Sequence, residues 1–240
     1  MPGLGTVINV LAIVAGGLLG LLFRKSLCER IQNTLMTGCG VSVLFIGLAG
    51  TMEKMLSVTE NGLAVYGVMM LVVSIALGGL VGAALDLDGK TERLGVWLRD
   101  KTGSGNDVGF VDGFVSASLT VCIGAMAVVG AIQDGLYCDR SILITKSVLD
   151  CIIVMIMTSS QGKGCIFSAL PVGVFQGVFT ALSRLIAPAL TDSASANLSL
   201  VGSVLIFCVG VNLIWGPKIK TANLLPALIF AVLYAFLPAV

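Results

Sequence analysis

Apolar residues along the chain gather into eight stretches separated by polar connections, near 5–23, 34–52, 62–85, 109–132, 142–159, 164–186, 198–215 and 222–239. A helix rises about 1.5 Å per residue, so roughly 20 residues cross about 30 Å of hydrocarbon, and each stretch is close to that length. The pattern predicts an all-α, polytopic transmembrane helix bundle of about eight spans, forming a single integral membrane domain over 1–240.

The connections carry an asymmetric charge. After the odd-numbered spans lie Arg24, Lys25, Arg30, then Lys90, Arg93, Arg99, Lys101, then Lys163, then Lys218 and Lys220. The opposite side has only Lys54, Arg140 and Arg184. Because Lys and Arg are retained on the cytoplasmic side, the 24–33 and 86–108 connections are predicted inside and both termini outside the cytoplasm. The segments 24–33 and 88–102 space apolar residues four apart (Leu27, Ile31, Leu35; Leu94, Leu98, with Trp97), so they are expected to be amphipathic helices on the cytoplasmic face.

Those two regions resemble each other. Gly16-Gly17-Leu18-Leu19-Gly20 precedes Glu29-Arg30-Ile31, and Gly78-Gly79-Leu80-Val81-Gly82 precedes Glu92-Arg93-Leu94. This joint match predicts a repeated two-span unit, 5–52 and 62–132, with a fainter inverted copy over 164–215 that starts at Gly173-x-x-x-Gly177. Spans 142–159 and 222–239 stand outside the repeats. Inverted repeats are frequent in secondary transporters. Glycine, at 30 of 240 residues, supplies some G-x-x-x-G pairs by composition alone, and these mean close helix packing.

Composition supports the membrane assignment and removes several functions. Of the residues 57% are hydrophobic and 11% charged, with a mean hydropathy of +1.04. The net charge of +1, without a basic run, argues against nucleic-acid binding. There is no histidine, so imidazole ligands, Ser/His or Cys/His nucleophile pairs and histidine proton relays are excluded. The seven cysteines show no C-x-x-C spacing and read as small packing residues, so no disulfide, metal site or cofactor is expected. Without a second interior carboxylate, hydrolytic chemistry has few candidates, and no enzyme is predicted.

The polar residues inside the spans are the candidate site. Lys146 and Asp150 lie four apart in SILITKSVLDCIIVMIMTSSQGKG, so a helix stacks them on one face. A charge at mid-membrane costs roughly 2.5–3.5 kcal/mol on insertion scales, so such residues face a bundle interior. Asp150 is about 12 Å beyond Ile142 and must be neutralised there, whereas Lys146, about 6 Å in, could snorkel outward. Asn9, one turn into the first span, and Gln176, after Pro171, complete the proposed substrate- or ion-binding set, with an interhelical hydrogen bond and a simple kink as their structural alternatives. Asp112, Ser116, Ser118 and Thr120 form a weaker polar strip, and Asn223 with Pro226 reads as a cap.

GTVIN near the start, GGLLG followed by CERI, DGL at 134–136, SILITKSVLD at 141–150 and NLLPAL at 223–228 together resemble a bacterial inner-membrane family of unknown function typified by YqgA and YdfK. The resemblance spans nearly the whole chain in order. It implies a polytopic inner-membrane protein and brings no substrate.

The sequence therefore predicts a secondary transporter or exporter of a small solute, with proton or sodium coupling through Asp150. An ion or water channel and a structural or regulatory membrane subunit are the rival readings. The expected partners are the lipid bilayer, a small solute or ion, and further copies of the chain.

Overall fold

The computed structural model describes residues 2–26, 29–59, 62–103, 109–122, 125–186, 191–216 and 218–236. Its helices are α1 (Leu4–Ser26), α2 (Glu29–Met55), α3 (Val68–Ala84), α4 (Leu87–Lys101), α5 (Phe110–Cys122), α6 (Ala125–Tyr137), α7 (Ser141–Gln161), α8 (Ala169–Ala181), α9 (Ser183–Ile186), α10 (Asp192–Trp215) and α11 (Ala227–Tyr234). Short 3-10 turns, Lys163–Ser168 and Thr221–Leu224, precede α8 and α11.

Among the described residues four helices are long and apolar enough to cross a bilayer: Leu4–Arg24, Ser141–Gln161, Lys163–Ala181 and Asp192–Trp215. Two bent pairs, α3 with α4 at 53° and α5 with α6 at 59°, raise the number to six if each pair is one span. The outward faces are rich in exposed large apolar side chains, among them Leu22 (67%), Leu80 (68%) and Val174 (68%). So much continuous apolar surface is foreign to a soluble monomer and natural against lipid. This is a multi-pass, all-α membrane protein.

Glycine sets the closest helix contacts. Gly16 and Gly20 of α1 lie against the Cys151 and Met155 carbonyls of α7, where any Cβ would collide with backbone. Since Gly5 of α1 also lies against Leu143, the two helices run parallel. On α2, Gly40 meets Leu213 and Gly47 meets Phe207, so α2 and α10 run antiparallel. Gly78 and Gly82 of α3 press on Ala227 and Asn223. The repeated glycine motif thus does one job twice, once against a parallel partner and once against an antiparallel one. The Glu-Arg half diverges, because Glu29 opens the long helix α2 while Glu92 lies inside the separate helix α4.

Three expected segments are organised differently. Residues 62–65 pair with 56–59 as an antiparallel hairpin, Leu56 opposite Val65 and Thr59 opposite Gly62, so the predicted span 62–85 contains only the helix Val68–Ala84. Unpaired strand edges are not tolerated in hydrocarbon, and the exposed hairpin (Val58 is 88% exposed) belongs outside it. The stretch 109–132 is two inclined helices rather than one rod. The predicted amphipathic segment 24–33 is no separate helix: 24–26 end α1 and 29–33 begin α2, with residues 27–28 outside those described. Its counterpart, predicted over 88–102, is the helix α4, where Lys101 Nζ sits 4.9 Å from the Trp97 ring centroid. Asn223 caps this helix from a distance: its Oδ1 accepts from the Asp88 N–H at 2.9 Å.

Candidate functional site

Helix α7 starts where Asp139 Oδ1 accepts from the Ser141 N–H (3.0 Å) and Oγ–H (2.7 Å), contacts that hold the Asp139 carboxyl below its ordinary range. It ends at Gly162, whose φ of 100° suits a residue without Cβ. Between these ends Lys146 and Asp150 point inward and are 6% and 3% exposed.

Lys146 does not snorkel to the surface. Its Nζ donates to Asp150 Oδ1 (2.8 Å), Asp150 Oδ2 (2.6 Å) and the Val121 carbonyl (2.7 Å). An ammonium has three hydrogens, and all three have acceptors here. Val121 is next to last in α5. Three acceptors in the interior outweigh a return to the interface. Asn9 Nδ2 donates to Asp150 Oδ2 at 3.1 Å, an interhelical hydrogen bond between α1 and α7.

Gln176 is fully buried, and among the described residues neither of its amide atoms has a hydrogen-bond partner. It sits on the α8 face that carries Gly173 beside Val10 and Thr180 beside Thr6 of α1. The Asn9 Oδ1 is likewise buried and unbonded. The fold brings Lys146, Asp150 and Asn9 together, while Gln176 is bonded to none of them.

The pair opens onto a cavity of about 460 Å³ lined by Thr120, Lys146 and Asp150, by Ser199 and Ser203 of α10, and by apolar side chains such as Val43, Leu149, Ile153 and Ile206. The exposed Glu53, paired with Lys54 at 2.7 Å, stands at its rim. A second cavity of about 410 Å³ lies toward the other ends of the same helices, lined by Asp88, Glu92, Asp112, Ser116, Gln161, Asn212 and Lys220. Along α7 the first cavity takes residues 146–153 and the second takes Gln161; along α10 they take 199–206 and 209–216. Between them lies a buried apolar layer that includes Val154, Met157 and Leu205, with Leu119 and Val209 in the wall of the second cavity. The polar strip on α5 is divided accordingly. Asp112 and Ser116 line one cavity and Thr120, which donates back to the Ser116 carbonyl at 2.7 Å, lines the other.

A second buried acid was not singled out from the sequence. Asp134 is fully buried, its Oδ2 accepts from the Gly5 N–H at 2.9 Å, and Arg140 Nε lies 3.6 Å from its Oδ1. The rule that selects Asp150, an acid within an apolar run, also selects Asp134 once α6 is seen to continue to Tyr137. Cys122, Cys138, Cys151 and Cys208 are free thiols, and no cluster of metal-binding side chains occurs among the described residues.

The family model described as "Protein of unknown function (DUF554)" matches residues 4–236. The chain belongs to that family. It is similar to the uncharacterized membrane protein YdfK of Bacillus subtilis (strain 168), with 27% identity over 225 residues, 94% of this chain and 92% of that protein. It is also similar to the uncharacterized protein YqgA of Escherichia coli (strain K12), with 29% identity over 235 residues, 95% of this chain and 94% of that protein. No solved structure matches.

Proposed function

We propose that the protein is a secondary transporter of a small solute, with Lys146 and Asp150 as an exchangeable charge pair at its central site. One observation carries this reading: two cavities, one largely aliphatic with Lys146 and Asp150 in its wall and one more polar around Asp112, are stacked end to end and parted by an apolar layer. A carrier needs a site reached from one side at a time, whereas a channel needs a continuous polar path. A purely structural pair would be packed dry, yet this one borders a cavity large enough for a small molecule.

The relative directions of the helices fit eight alternating crossings. Spans one and five (α1, α7) are parallel, and spans two and seven (α2, α10) are antiparallel. In this reading α2 and the 222–236 segment are embedded too, the membrane is the inner one, and both termini lie outside the cytoplasm. The Lys146 cavity then faces outward and the Asp112 cavity inward.

The test is a solute screen by thermal shift on purified protein, followed by flux of each stabilising solute into proteoliposomes under proton or sodium gradients. A bound native-state ligand at 100 times its Kd adds about 2.7 kcal/mol of stability. Saturable, gradient-driven uptake is expected. Stepwise single-channel currents in a planar bilayer would replace this reading with the channel, and neither ligand nor current in any condition would leave the structural role.

A further inference from the structure

The Lys146 ammonium is held in a way that describes a ligand. Two carboxylate oxygens of Asp150 and one carbonyl at the C-terminal end of α5 converge on it, all within 2.8 Å. Carboxylate and helix C-terminal carbonyl together make a cation seat, because the partial negative charge at a helix end adds to that of the acid. The seat opens to the cavity, whose walls are largely aliphatic and include Ser199 and Ser203. Across both cavities five carboxylates (Glu53, Asp88, Glu92, Asp112, Asp150) face two lysines (Lys146, Lys220). That balance concentrates cations and repels anions.

Resting on the transporter reading above, we propose that the solute is a small organic cation with a primary ammonium group, which takes the seat now filled by Lys146 Nζ. Its N–H groups replace those of Lys146 on the Asp150 carboxylate and the Val121 carbonyl, and its apolar body lies along Leu149, Ile153 and Ile206. Displaced from its acceptors, Lys146 cannot remain charged in the interior, so its ammonium gives up one proton to water in the cavity and becomes a neutral amine. Charge balances: one cation enters the site and one proton leaves it. The other titratable groups facing Lys146 are Asp150 on the same helix, Cys122 at the end of α5 and Glu53 across the cavity from α2. In either state Asp150 keeps one ammonium partner. Binding therefore strengthens as pH rises. Alternation of the two cations on one carboxylate gives cation–proton exchange.

The test is titration calorimetry of the purified full-length protein with butylammonium chloride, in phosphate and in MOPS buffer, whose different ionisation enthalpies report the protons released. The expected result for the natural sequence is saturable binding with about one proton released per cation. Lys146→Met should bind at least tenfold tighter, about 1.4 kcal/mol, because no internal ammonium competes. Asp150→Asn should not bind; if it does not fold, the neutral double variant Lys146→Met/Asp150→Asn takes its place with the same expectation. Sodium chloride and sodium butyrate should give no saturable heat. Binding of butylammonium without proton release, equal affinity in Lys146→Met, a saturable response to sodium or butyrate in its place, or no binding at all would each overturn the proposal. Proteoliposomes separate the two readings. Uptake of an anion would remove the cation assignment and leave a transporter, while cation binding without any flux would remove the transporter and leave the site.

Discussion

Asn9 of α1 donates from Nδ2 to Asp150 Oδ2 of α7 across 3.1 Å, where the two helices run parallel and glycines bring them together. A carboxylate that already holds Lys146 is thereby also tied to the first helix. The hydrogen bond and the glycine contacts together fix α1 against α7 at the level of Asp150.

Asn9→Leu removes that tie and leaves Lys146 on Asp150. The expected loss is about 0.6–1.7 kcal/mol, the range for interhelical hydrogen bonds in membranes, read as a lowered thermal midpoint. A midpoint equal to that of the natural sequence would show that the bond is not formed.

Asp150→Asn leaves Lys146 with the Val121 carbonyl and a neutral amide. Breaking a buried ion pair by removing one partner costs about 3–5 kcal/mol, while replacing both is often neutral, so the double variant Lys146→Met/Asp150→Asn should melt near the natural protein. In the transporter reading that rescue extends to stability and not to gradient-driven uptake. Undiminished uptake by a folded Asp150→Asn protein would sink the role of Asp150 in coupling.

Gly16→Val places a branched side chain against the Cys151 carbonyl, so α1 must move away from α7. Overpacking of this kind costs roughly 1–3 kcal/mol. Gly177→Ala is the control, since nothing lies within 4 Å of the added methyl. The experiment compares the two thermal midpoints, and equal values would contradict the helix contact.

Topology is tested by cysteine labelling of intact cells with a membrane-impermeant reagent. The exposed natural Cys138 should label from outside. In a background free of other cysteines, Val58→Cys in the hairpin should label as well. Cysteines placed at Arg30 and Arg93 should label only after the cells are opened; efficient labelling of either from outside would reverse the orientation.

Much of this architecture was legible in the chain because a bilayer imposes simple rules. Apolar length decides which segments can be embedded, so the helices at Leu4–Arg24, Ser141–Gln161 and Asp192–Trp215 were visible as hydrophobic runs. The cost of charge in hydrocarbon marked Lys146 and Asp150, and their four-residue spacing placed them together on a single helix face, where they form an ion pair. Other features depend on residues distant in sequence. The direction of the Lys146 side chain was decided by Asp150 together with the Val121 carbonyl, an acceptor on α5 25 residues away in the chain. Asn223 caps α4 from 135 residues away, and Asp134 finds the Gly5 N–H across 129. The stacked cavities arise where α2, α5, α7 and α10 fail to fill the space between them. Local pattern reports how far a segment can travel through lipid and what it must hide, but which group it hides against is settled only when non-adjacent helices meet.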